Sequence, residues 1–193
     1  MTKENKAFID KWSSFLSELL VIPKIPIKYK NIDVFGRFYI EKDNPEATCI
    51  ILKNNFSDNL LDYLRVLTHE YYHYFQCFCI AFRKDMEKEI GKKIIDLYEK
   101  ELKDYKPYGY KGYQNQFIEV EAVAFTLMIF LYFDIEIKED YNIYDRSSVI
   151  KELNNKITDF TKDEIIEALE SIKCNYNNIK IILKKYIEKE GVK

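Results

Sequence analysis

The sequence predicts an α+β fold: a mostly helical domain with a small antiparallel sheet near the N-terminus and a helical C-terminal tail. Three observations carry this. Apolar residues recur at helical spacing in residues 2–20 and again through residues 58–82. Short β-type runs bounded by turn residues fall between residues 27 and 53. Beyond residue 84, every segment outside one loop reads as helix.

Taken in order, Phe8, Trp12, Phe15 and Leu19 stand four, three and four apart, which is one helical stripe. Pro23 and Pro26 end that helix and hand over to extended chain. Ile27–Lys30 and Val34–Lys42 read as strands, with Gly36 marking either a bulge or a close approach. Asp43-Asn44-Pro45-Glu46 is a turn. Ala47–Lys53 is a continuous β run of the buried kind. Ser57 or Asp58 then caps a long helix over residues 58–82.

A second helical segment covers residues 84–105, with Gly91 weakening its continuity. Residues 105–113 form a loop rich in Tyr, Gly and Pro. Another helix follows over 115–133, apolar after Glu121. In the tail, Thr161-Lys162-Asp163-Glu164 is a capping box opening a helix to Lys173, and a last helix spans 176–189. Residues 1–140 are expected to form the main domain, with 141–193 a helical extension packed on it.

Composition narrows the function classes. The 193 residues include 30 Lys or Arg against 32 acids, a net charge of −2, without the basic excess that nucleic-acid binding requires. Sixteen tyrosines and 13 phenylalanines accompany many Lys, Ile and Asn, a pattern that codon bias explains without a binding platform. The N-terminus leads straight into an amphipathic helix without a signal-peptide apolar region, so a cytoplasmic protein is expected. The apolar run Ala122–Phe133 is too short to span a bilayer and reads as a buried helix. Cys49, Cys77, Cys79 and Cys174 lack any Cys-x-x-Cys pair and read as free, mostly buried thiols. Cys77 shares the face of His69, as a core side chain or a regulatory thiolate.

The chemistry concentrates at His69-Glu70-Tyr71-Tyr72-His73, which uses both histidines of the chain. On a helix, residues four apart stand one turn above each other, so His69 and His73 can aim two imidazoles at one ion. Glu70, about 100° round the helix, can reach a water on that ion without ligating it. This is the zinc-hydrolase pattern: two neutral nitrogen ligands, a carboxylate base and an open position. A third ligand is needed, and with no further histidine it must be a carboxylate or a cysteine. Glu119 and Glu121 stand at the mouth of an apolar helix, where a desolvated carboxylate needs a partner such as a divalent cation. Two residues apart, they diverge by about 200°, so only one can ligate.

With these residues in place, the chain resembles the gluzincin class of zinc metallopeptidases, and more closely the compact ImmA/IrrE-like proteins and minigluzincins. The likeness covers residues 27–133: a small sheet, the His-Glu-x-x-His helix, and a helix bearing Glu119-Val120-Glu121-Ala122-x-x-Phe125. It implies a zincin-like metallopeptidase domain, and aligning Ala122 and Phe125 makes Glu119 the zinc ligand, with Glu121 as the runner-up. Relatives commonly carry Asn or Asp four residues after that Glu, where this chain has Val123. Another group must then orient a ligating histidine, and Glu121, Gln76 or a backbone carbonyl are the candidates.

The implied activity is zinc-dependent peptide-bond hydrolysis (a hydrolase, specifically a protease) with Glu70 as general base. The oxyanion donor is expected to be a tyrosine of the loop: Tyr108, Tyr110 or Tyr113. The implied partner is a peptide or protein substrate, bound by strand addition at the sheet edge, with neither nucleic acid nor membrane involved. Two other readings stand beside it: a non-catalytic, zinc-stabilised binding or regulatory protein, and a zinc hydrolase of non-peptide amides.

Overall fold

The computed structural model describes residues 1–40 and 47–133, together with Ser148. Among them lie five α-helices and a three-stranded sheet, in the order α1 (Lys3–Leu19), β1 (Ile27–Lys30), β2 (Gly36–Tyr39), β3 (Cys49–Lys53), α2 (Leu60–Ala81), α3 (Arg83–Glu89), α4 (Lys92–Lys103) and α5 (Phe117–Tyr132). The α+β class holds. The turn read at Asp43–Glu46, the domain boundary near residue 140, Cys174 and the tail helices lie outside the described residues.

Helix α1 starts at Thr2, whose hydroxyl accepts from the Asn5 amide, and buries its stripe of Phe8, Trp12, Phe15 and Leu16. It is tied to α2 by polar contacts as well as packing. Trp12 Nε1 donates to Thr68 Oγ1 at 2.9 Å, and the Ser13 and Tyr71 hydroxyls are hydrogen-bonded. A buried indole needs such an acceptor, so this contact fixes the rotation of α2 against α1.

The sheet is mixed rather than antiparallel. Its order is β1–β3–β2, with β1 parallel to β3 (Ile27 opposite Ile50) and β2 antiparallel to it (Phe38 opposite Ile50). Strand β3 carries the continuous apolar run and is buried along Cys49–Leu52. Such a strand is stable with both edges paired, so it inserts between β1 and β2 instead of adding to the end of a meander. The chain reverses twice on the way, which leaves β1 and β3 pointing the same way.

At Gly36 an added Cβ would lie 2.3 Å from Val66 Cγ1 and 3.2 Å from Glu70 Cγ. Gly36 is therefore a close approach and not a bulge: only a glycine lets β2 cross this near to α2. Helix α2 is capped by Asn59, whose side chain accepts from the Leu61 amide at 2.9 Å. Ser57 instead accepts from the Asn59 amide, one step before the cap. The segment read as a single helix over 84–105 is two, broken where Gly91 adopts φ +85°. Arg83 binds Glu87, Asp96 and Glu99, holding α3 against α4.

Helices α1, α2 and α5 and the sheet share one core, while Cys79, Ile95, Tyr98 and Ile118 form a smaller cluster under α4. Among the described residues, no helix is long and apolar enough to cross a membrane.

Candidate metal centre

Helix α2 buries Leu64, Leu67 and Tyr71 in the core and turns Val66, His69, Glu70 and His73 toward a cleft. The one-turn step between the histidines stacks their rings edge to face, with centroids 4.6 Å apart and the two Nε2 atoms 3.0 Å apart. Helix α5 lies alongside: Tyr72 stacks on Phe125 at 4.6 Å, and the small, fully buried Ala122 permits the approach. That packing carries Glu119, in the first turn of α5, onto the imidazoles. Its Oε2 stands 3.3 Å from His69 Nε2 and its Oε1 3.4 Å from His73 Nε2, with the side chain wholly buried.

Glu121 is not in this group. It is buried on another side of α5, where it accepts from Gln76 Nε2 at 3.1 Å and meets the Tyr72 and Tyr98 hydroxyls. Of the two acids, Glu119 alone faces the histidines.

The group fits a zinc ion. With bonds of ~2.0–2.1 Å, two ligand atoms of a tetrahedral site are separated by about 3.3 Å. The two Nε2 atoms stand 3.0 Å apart, and each faces its own oxygen of Glu119, His69 at 3.3 Å from Oε2 and His73 at 3.4 Å from Oε1. Glu119 Oε2 is buried and makes no hydrogen bond, which is costly for a carboxylate unless a cation meets it. The three side chains together supply ligand atoms all within 4.8 Å of one another. Burial by itself lowers the pKa of His73, but the Glu119 carboxylate outweighs it and raises it to about 9. Burial likewise opposes ionisation of Glu119, and the two imidazoles, His73 first, overcome it and hold the carboxyl well below the usual range. The carboxylate and the imidazoles thus favour each other's charged forms.

Gln76 sets the orientation of His73. Its amide nitrogen donates to the Ile118 carbonyl at 3.0 Å and to Glu121 at 3.1 Å, so its oxygen must face His73 Nδ1, 2.9 Å away. His73 therefore carries its proton on Nδ1 and, when neutral, presents a lone pair on Nε2. Of Glu121, Gln76 and a backbone carbonyl, it is Gln76 that makes the contact, with Glu121 behind it.

Glu70 is held from the opposite wall. The Phe38 amide, on the outward side of β2, donates to Glu70 Oε2 at 2.7 Å. The cleft has a volume of about 910 Å³, with Gly36, Phe38, Val66, Ile118, Tyr105 and Tyr108 on its walls and His69, Glu70 and His73 on its floor.

The loop tyrosines separate. Tyr108 and Tyr113 line the cleft, with rings 5.5 Å apart. Tyr110 is 67% exposed and lies outside the lining. The tyrosine that touches the centre is Tyr105, whose hydroxyl donates to Glu119 Oε1 at 3.0 Å. Sequence reasoning passed over it; its place directly after α4, at the start of the loop, was the available signal. Cys77 also borders the cleft, and burial raises its thiol to about 12, so it is no thiolate near neutral pH.

In comparisons with known proteins, no family model, no curated protein and no solved structure matches the chain.

Proposed function

We propose that this chain is a zinc-dependent hydrolase of peptide bonds, acting in the cytoplasm. The observation that carries the reading is the triangle of His69 Nε2, His73 Nε2 and the buried Glu119 carboxylate on the floor of an open cleft, with Glu70 beside it.

His69, His73 and Glu119 would hold the ion. Zinc in such a site supplies Lewis acidity, lowering the pKa of a coordinated water toward ~7. The remaining work falls to the chain. The Phe38 amide fixes Glu70 Oε2, which leaves Oε1 to take a proton from the attacking water and pass it to the leaving amine. Gln76 holds the His73 ring with its proton on Nδ1, so that Nε2 would be free to hold the ion. Tyr108 on the cleft wall is the donor for the oxyanion, because the Tyr113 hydroxyl already bonds to Tyr105. Among the described residues, strand β2 is an edge of the sheet along the cleft, suited to an extended peptide, although its Phe38 N–H is already committed to Glu70.

The test is metal analysis of the purified protein together with a mixed peptide library read by mass spectrometry. Glu70→Gln should keep its zinc and lose about 10²–10⁴-fold in cleavage rate. Undiminished cleavage in that variant would overturn the mechanism. Zinc without cleavage in the wild type would instead mark a zinc-stabilised binding protein.

A further inference from the structure

The two oxygens of Glu119 have different surroundings. Oε1 accepts from the Tyr105 hydroxyl at 3.0 Å, and the Tyr113 hydroxyl in turn bonds to Tyr105. Oε1 also stands 3.4 Å from His73 Nε2, whereas Oε2 is buried, makes no hydrogen bond, and stands 3.3 Å from His69 Nε2. A carboxylate can meet a cation through one oxygen or both. A phenol bonded to one oxygen draws charge from it and stops the group rotating, so the other oxygen is the better ligand.

We infer that Tyr105 is a positioning residue for the metal ligand, holding Oε1 so that the bond of Glu119 to the ion falls mainly on Oε2. The inference rests on the zinc reading above. One-oxygen ligation leaves the fourth position of a tetrahedral ion for water or substrate, which two-oxygen ligation would crowd. It also joins the ligand to the cleft wall, because Tyr105 opens the loop that carries Tyr108 and Tyr113. The two ends of that loop are clamped together, with the Lys106 amide donating to Gln116 Oε1 at 2.7 Å and Gln116 Nε2 donating to the Lys106 carbonyl at 2.9 Å.

Tyr105→Phe keeps the ring and removes only the hydroxyl. Two measurements on the whole chain test it: zinc affinity by competition with a chromogenic chelator, and the visible spectrum of the cobalt(II)-substituted protein, whose bands weaken as coordination rises from four to five. Tyr105→Phe should bind zinc about 10-fold more weakly and give weaker cobalt bands. Tyr113→Phe should shift both in the same direction by less, and Tyr108→Phe should match the wild type. A Tyr105→Phe protein with wild-type zinc affinity and cobalt spectrum overturns the inference while leaving the zinc reading intact. A wild type that takes up neither metal overturns both. If Tyr105→Phe does not fold, Tyr113→Phe decides: a severalfold loss of affinity supports the inference and no change overturns it.

Discussion

The two walls of the cleft are built differently. On the inner wall, His69, His73, Gln76, Glu119 and Glu121 all belong to α2 and α5, and their contacts are side-chain bonds buried between two packed helices. On the outer wall, Glu70 is held by one backbone amide of an edge strand and Glu119 Oε1 by one phenol at the start of a loop. Two packed helices give these side chains a fixed frame, as a metal site would require. A strand edge and a loop can yield to a substrate while still steering the carboxylates that face it. The inner wall, together with the Tyr105 phenol on Glu119, should therefore govern metal affinity and the Phe38 amide on Glu70 turnover, and damage to each should separate the two.

The largest separation is expected from Gln76→Leu. It removes the acceptor for His73 Nδ1 and a donor to buried Glu121, so zinc affinity should fall about 10–100-fold, measured by chelator competition. Catalysis at saturating zinc should fall far less. If zinc affinity does not change, the inner wall does not orient His73.

Gly36→Ala probes the outer wall. Its Cβ would meet Val66 Cγ1 at 2.3 Å, so β2 must move away from α2. Overpacking of this kind costs about 1–3 kcal/mol, read from denaturant midpoints. The shift carries the Phe38 amide away from Glu70, so cleavage should drop about 10-fold or more while zinc affinity stays within about twofold. Equal losses in both would erase the proposed division between the walls.

The smallest effect concerns pH. In chelator-treated protein, the pKa of His73 is raised from 6.5 to about 9, so its pairing stabilises the fold fully below pH 6.5 and that contribution is lost as pH rises through about 9. Glu119 is shifted below its ordinary 4.5, so its contribution is present above that pH and lost in stronger acid. The melting temperature of the metal-free protein should peak between pH 4.5 and 6.5 and fall by a few degrees toward alkaline pH. Zinc-loaded protein should lack the alkaline fall, because its imidazoles are already neutral.

The same contrast explains what the sequence made legible. The placement of His69, Glu70 and His73 on one helix follows from a period of 3.6 residues, which needs no tertiary knowledge. The choice between Glu119 and Glu121 reduced to a single rotation about α5, which local spacing constrains but only packing against α2 decides. Tyr105 was illegible because its partner is 14 residues away through a loop whose path depends on Gly109, Gly112 and the Gln116 clamp. The parallel pairing of β1 with β3 escaped for a related reason. Strand order is set by which strand needs both edges covered, and the continuous apolar run of β3 was the one hint. The split at Gly91 was marked in the sequence, whereas the choice of Asn59 over Ser57 or Asp58 as cap turned on a single residue among neighbouring polar candidates.

The most direct measurement is a crystal structure of the zinc-loaded protein with anomalous data collected at the zinc edge. The account predicts one peak at about 2.0–2.2 Å from His69 Nε2, His73 Nε2 and Glu119 Oε2, with Tyr105 still on Oε1. A peak elsewhere, or none in protein equilibrated with stoichiometric zinc, would contradict it.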